Sequence, residues 1–115
     1  METIQELTEY VRGKAKEYVT ETGETMTEFP SSIVDFVIEN ISQNCHFPSH
    51  FAEKNIVSDL SKGKNSLAMA CVNVYAKAGA EGQKSHSENG ISRTYDSSWI
   101  SPSIYTAFPN YVTIL

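Results

Sequence analysis

Between Lys64 and Ala78 the sequence places Leu67, Ala68, Ala70, Cys71, Val74, Tyr75 and Ala78 close together, with Met69 and Val72 beside them. The run is too apolar on every side for a helix with one solvated face. A helix apolar nearly all round has to be covered on more than one side, by its own bundle or by neighbouring subunits. This requirement makes the segment the natural centre of a helical fold, and Gly79 is the expected left-handed stop at its end.

The remaining segments supply helices to pack around it. From Thr3 to Tyr18, Ile4, Leu7, Val11, Ala15 and Tyr18 recur at spacings of three and four, which puts them on one helical face. Gly13 in the middle costs about 1 kcal/mol relative to Ala, so this helix relies on tertiary packing. It should stop by Gly23, and residues 21–30 then read as a linker without periodicity. Ser31 or Ser32 can cap a second helix with the face Ile33, Phe36, Val37, Ile41 and Cys45, widened by Val34 and Ile38. It ends near Asn44 and Cys45, because His46, Phe47 and Pro48 favour an extended turn. Ser49 is the expected cap of a third helix from about His50 to Ser61, with Phe51, Ile56, Val57 and Leu60 on its face.

Residues 79–98 change character: they are polar, hold Gly79, Gly82 and Gly90, and carry an Asn89-Gly90 turn signal. Segments this long without regular structure are usually functional or disordered. A small hairpin around Asn89-Gly90 would let Ile91, Arg93 and Tyr95 alternate with Ser92 and Thr94. A short helix is expected from Pro102 to Phe108, with Pro102 suited to the first turn. The β-prone residues Tyr111, Val112, Thr113, Ile114 and Leu115 then either pack on the core or are donated to a partner. With 115 residues, 40% of them hydrophobic, the chain is one domain able to bury roughly two thirds of its surface. The expected fold is all-α, a small bundle of about four main helices spanning residues 1–115. Its N-terminal helix occupies 1–22, its core helices 31–79, its long loop 80–98, and its final helix and tail 99–115.

Charge is unevenly spread. Residues 1–40 carry nine acids and three bases, whereas residues 41–115 carry five acids and six bases, within a total net charge of −5. Electrostatic wrapping of DNA needs a basic patch that releases counterions from phosphates, and none is evident here. Cys45 and Cys71 lie in apolar stretches and read as buried, reduced thiols. The sequence opens with no charged segment followed by an apolar one, and no apolar run approaches the roughly 20 residues that span a bilayer. These features point to a soluble protein made in a cytoplasm.

Catalytic and metal-binding arrangements are not apparent either, and no cofactor is expected. His46 and His50 are four apart, but Pro48 between them argues against one continuous helix, and no further ligands complete a metal site. Ser85, His86, Ser87 and Glu88 hold nucleophile, base and acid types, yet such adjacent residues cannot converge into a triad. Gly79, Gly82 and Gly90 have the wrong spacing for a phosphate loop. The reading is therefore not an enzyme.

The most distinctive stretch runs Ala68-Met69-Ala70-Cys71-Val72-Asn73-Val74-Tyr75-Ala76-Lys77-Ala78-Gly79-Ala80-Glu81-Gly82, then Ser85-His86-Ser87-Glu88-Asn89-Gly90-Ile91-Ser92-Arg93-Thr94-Tyr95. It resembles the head-tail connector (adaptor, or head-completion) family of tailed bacteriophages. There an apolar helix enters a Gly-Ala-Glu-Gly corner, followed by a serine-rich segment, a Gly-hydrophobic-Ser-Arg-Ser/Thr-Tyr element and a short final helix. The resemblance covers the order of elements from about Ser31 onward and is specific over residues 68–95. It implies a structural virion protein that forms a ring under the portal, extends the DNA channel and receives the next tail-side (stopper) component. Genomic DNA would pass without specific binding, and no membrane would be involved. Carried over by position, Gly79, Ala80, Glu81 and Gly82 would form the corner, and Ile91, Ser92, Arg93, Thr94 and Tyr95 the arm that contacts a neighbour. Tyr111, Val112, Ile114 and Leu115 resemble tails that pair with the portal, by strand addition to an exposed edge. Separately, the acidic face of the first helix, Glu6, Glu9 and Glu17, is a candidate channel lining that would repel phosphate. The alternative from another class is a small phage DNA-packaging or regulatory module acting on nucleic acid, against which the acidic first half speaks.

Overall fold

The computed structural model describes residues 2–85 and 99–111, with backbone alone for 79–85. Five helices follow in order: α1 (Ile4–Glu21), α2 (Ser31–Cys45), α3 (Glu53–Ser61), α4 (Lys64–Ser85) and α5 (Pro102–Tyr105). The fold is all-α, a small bundle with four main helices, and no strand occurs among the described residues. As the apolar run requires, α4 is the hub: it packs on α1 most extensively, then on α2, and α5 lies against it.

Helix α1 begins at a reciprocal cap. The Thr3 hydroxyl accepts from the Glu6 N–H at 3.1 Å, and the Glu6 carboxylate accepts from the backbone N–H groups of Glu2 (2.8 Å) and Thr3 (3.2 Å). A carboxylate from α3 also serves this helix end, since Glu53 Oε2 accepts from the Ile4 N–H at 2.8 Å. The buried stripe is Leu7, Val11, Ala15 and Val19, so Val19 takes the core position in the last turn and Tyr18 only flanks the core. Thr22 closes the helix and Gly23, at φ 100°, turns the chain away.

Residues 22–30 are more than a linker. Phe29 is buried in the core, its ring lies 5.3 Å from that of Tyr75, and Arg12 Nε donates to its carbonyl at 2.6 Å. Arg12 also pairs with Glu28 at 2.7 Å. This anchor sets the start of α2. Pro30 occupies the capping position, and Ser31 and Ser32 are already the first helical residues, which corrects the expectation that one of them caps. Ile33, Val34, Val37, Ile38, Ile41 and Cys45 are buried as the pattern predicts. His46 ends α2 in the left-handed conformation, at φ 55°.

Three further boundaries differ from expectation. Helix α3 starts at Glu53, not His50, because residues 48–51 form a turn closed by the Phe51 N–H on the Pro48 carbonyl (3.0 Å). Ser49 therefore caps nothing at the start of α3. The Asn55 side chain accepts from the Ala52 N–H (3.0 Å) at the actual start. Helix α4 does not stop at Gly79 but continues to Ser85. Two glycines cost about 1 kcal/mol each relative to Ala, but Ala80, Glu81, Gln83 and Lys84 are good helix formers and no proline intervenes. The first residues of the expected loop are thus helical. Helix α5 is shorter than expected, a single turn to Tyr105 followed by turns that carry the chain to buried Phe108.

The Phe108 ring lies against the junction of α3 and α4. A Cβ on Gly63 would fall 2.7 Å and 2.8 Å from two of its ring atoms, so only glycine leaves room.

Candidate assembly surface

The outward side of α4 follows from its buried side. Leu67, Ala68, Ala70, Cys71 and Val74 are fully buried, which turns Asn65, Met69 and Ala76 outward, with Val72 and Asn73 half-buried at their flank. From Asn65 to Ala76 these outward residues carry no charge, the exposed Lys77 following directly after them, and Met69 is 44% exposed. The bundle therefore covers only the inner sides of the apolar helix. Toward its end the same helix holds Gly79, Ala80, Glu81 and Gly82, in helical backbone and not as a corner. Ile91, Ser92, Arg93, Thr94 and Tyr95, the hairpin expected at Asn89-Gly90, and His86 lie outside the described residues.

Tyr111 is placed in detail. Its N–H donates to the Cys45 carbonyl at 2.8 Å, satisfying a group left open at the end of α2. Its hydroxyl donates to Asp59 Oδ2 at 2.6 Å, and its ring lies 5.9 Å from Phe47 and 5.4 Å from Phe51. Tyr111 thus packs on its own chain. Val112, Ile114 and Leu115 lie outside the described residues. The bond to Asp59 holds the Tyr111 phenol above its ordinary pKa, with burial adding to the effect. Cys45 beneath it is pushed up to about 11 by burial and by the Asp59 charge. Burial likewise raises Cys71, and both thiols are free.

On α1, the three acids proposed for a channel share the exposed face but differ in their bonding. Glu6 is held below the usual carboxylate range by backbone donors, first Glu2 and then Thr3. Glu17 pairs with Lys14 at 3.5 Å. Glu9 is exposed. Elsewhere the acids serve the fold: Glu24 accepts from the Tyr75 hydroxyl at 2.6 Å, and Glu28 and Glu53 fix Arg12 and the start of α1. Sequence reading missed these roles because each joins residues far apart in the chain.

His46 sits at the end of α2 and the His50 ring meets Phe51 edge-on at 5.3 Å. No group of three potential metal ligands occurs among the described residues. No helix among them is long and apolar enough to cross a membrane. The chain matches no protein-family model, and no curated protein or solved structure shows significant similarity to it.

Proposed function

We propose that this chain is a ring-forming head-tail connector subunit of a tailed bacteriophage, which docks under the portal, extends the DNA channel and receives the next tail-side component. The observation that carries the reading is continuity along α4. One helix begins in the core, keeps an uncharged outward strip from Asn65 to Ala76, and runs into the Gly79–Gly82 segment whose sequence resembles that family. An uncharged strip on a helix of a net-acidic protein suits packing against another protein surface better than it suits solvent. The all-α bundle agrees with the architecture that the resemblance implies.

Mixing the protein with portal rings of the same genome, followed by sedimentation and electron microscopy, tests the proposal. Added mass stacked on the portal is the expected result. Bare portals in the presence of folded protein would reject it and shift the reading to a nucleic-acid-binding packaging or regulatory module. A salt-dependent DNA gel shift would then examine that module, since phosphate contacts weaken steeply with salt.

Within the connector reading, Glu6, Glu9 and Glu17 line the channel and keep DNA from adhering. Glu9 gives the cleanest test, because reversing Glu6 also removes the α1 cap and reversing Glu17 also removes the Lys14 pair. Glu9→Lys should slow DNA release while leaving rings intact; unchanged ejection kinetics would remove the lining role.

A further inference from the structure

The outward strip of α4 borders a seam with α1. Tyr10 of α1 reaches across to the start of the strip, where its hydroxyl donates to Asn65 Oδ1 at 3.3 Å and Lys64 Nζ stands 5.4 Å from the ring centre. Further along the same edge of α1, Lys14 Nζ stands 6.0 Å from the ring centre of Tyr18. Both tyrosines are half-buried, as is Val72 on α4, and Met69 is exposed. Tyrosine and methionine are residue types enriched where proteins meet. The seam is also positive, in a protein of net charge −5. Glu17 pairs with Lys14, while among the described residues no carboxylate pairs with Lys64 or with exposed Lys77 at the far end of the strip.

The same chain carries a complementary surface. Helix α2 contains no lysine or arginine. Asp35 and Glu39 stand one turn apart on its exposed face, in none of the ion pairs formed among the described residues, and half-buried Phe36 flanks them. Like charges at this spacing destabilise a helix, so opposite charge brought to them is favourable. Packing supplies the geometry: α2 rests on both α1 and α4, so its acidic face lies on the side of the bundle away from the open α1–α4 seam. We infer that the seam receives the outer face of α2 from a second copy of this chain, which brings Asp35 and Glu39 toward Lys64 and Lys77 and sets Phe36 against Met69. The second copy's helix lies along α1 and α4 from outside as the chain's own α2 does from inside. Because seam and acidic face point opposite ways, the contact is head-to-tail and repeats from copy to copy, closing into a ring or extending as a fibre. On the connector reading it joins neighbouring subunits of the ring, but it rests on these side chains alone.

Sedimentation of the full chain at rising concentration and low salt should show mass above that of one copy; a chain that stays single throughout would overturn the contact. Carbodiimide coupling, which joins a carboxylate to a lysine where the two touch, then maps it in a mixture of isotopically light and heavy protein. Peptides joining Asp35 or Glu39 of one isotope to Lys64 or Lys77 of the other are expected, and coupling confined to one isotope would refute it. Two charge-reversed proteins, Asp35→Lys with Glu39→Lys and Lys64→Glu with Lys77→Glu, should each associate at least about tenfold more weakly alone, with melting by circular dichroism confirming that both fold. Mixed, they should associate again, because the first keeps the native seam and the second the native α2. Either protein associating alone like the wild type, or a mixture that stays single, would overturn the pairing. Portal rings separate the two proposals. Stacked portals from a chain that fails these tests would keep the connector reading and reject this contact, and self-association beside bare portals would do the reverse.

Discussion

Adding one methyl group at Gly63 should destabilise the protein through a single neighbour. A Cβ there would sit 2.7 Å from Cε1, 2.8 Å from Cζ and 3.3 Å from Cδ1 of Phe108, so the ring has to move. Phe108 is 7% exposed, leaving it little free space. Overpacking of this kind costs about 1–3 kcal/mol. Two smaller effects act at the same residue. The Gly63 carbonyl accepts from the Leu67 N–H at 2.9 Å, so Gly63 caps α4, and Ala is a poorer cap by roughly 0.5–1 kcal/mol. Ala also restricts the unfolded chain, which returns about 0.4–1 kcal/mol. These two nearly cancel, and the clash remains. At about 4 °C per kcal/mol, Gly63→Ala should lower Tm by about 4–12 °C, read by circular dichroism and by urea denaturation. Gly63→Ser separates the causes, because it restores a good cap and keeps the Cβ; it should still lose stability, by about 0.5–1 kcal/mol less than Gly63→Ala. In a Phe108→Leu background, which lacks the two closest ring atoms, the further cost of Gly63→Ala should fall below about 1 kcal/mol. A Gly63→Ala protein as stable as the wild type, or a cost that persists in the Phe108→Leu background, would refute the close-approach argument.

Gly13 meets nothing within 4 Å of a built Cβ and lies mid-helix on the exposed face, so Gly13→Ala should stabilise by about 0.5–1 kcal/mol; a lower Tm would contradict it. His46 pays for a left-handed backbone at φ 55°, and His46→Gly should raise stability by up to about 1 kcal/mol in urea melts. Glu6 has a lowered pKa in the folded state, so its contribution is present above the unfolded carboxylate pKa and is lost as pH falls through the folded one. Glu6→Gln should therefore flatten the acid limb of a stability-against-pH curve, and a limb of unchanged slope would show that other groups set it. Tyr111 has a raised pKa, so the contribution of its bond to Asp59 is complete below the unfolded tyrosine pKa and is lost as pH rises through the folded value; an ultraviolet titration in which Tyr111→Phe removes no late-titrating phenol would contradict this.

The fold was legible where one helix face decides burial. Leu7, Val11 and Ala15 on α1 and the run from Ile33 to Cys45 on α2 were predictable because spacing alone fixes which side chains point inward. Local rules misplaced the boundaries where two of them competed. Gly79 reads as a stop in isolation, but its neighbours favour helix strongly enough to carry α4 to Ser85. Ser31 and Ser49 read as caps, whereas buried Phe29 and the Pro48–Phe51 turn had already set where α2 and α3 begin. Of the candidate interface, the apolar character of α4 was readable. Which residues of that helix remain outside, Met69 and Ala76 in particular, needed the packing of α1, α2 and α5.

The acidic first half shows why charge counts alone mislead about use. Read as a tally, nine acids against three bases suggest a solvated or DNA-repelling surface. In the fold, several of these carboxylates answer specific needs. Glu6 fills backbone donors that α1 cannot satisfy within itself, Glu24 holds the Tyr75 hydroxyl, and Glu28 fixes the arginine that anchors Phe29. Glu53 and Asp59 do the same from α3, for the start of α1 and for Tyr111. Helix ends and buried turns create unmet donors and acceptors at defined points, and a short bundle has few backbone partners to offer there. Side chains from distant segments supply them. Each such bond joins segments distant in the chain, so truncating one side chain leaves a backbone or hydroxyl group at that point without its partner, a loss that falls on the helix end it served.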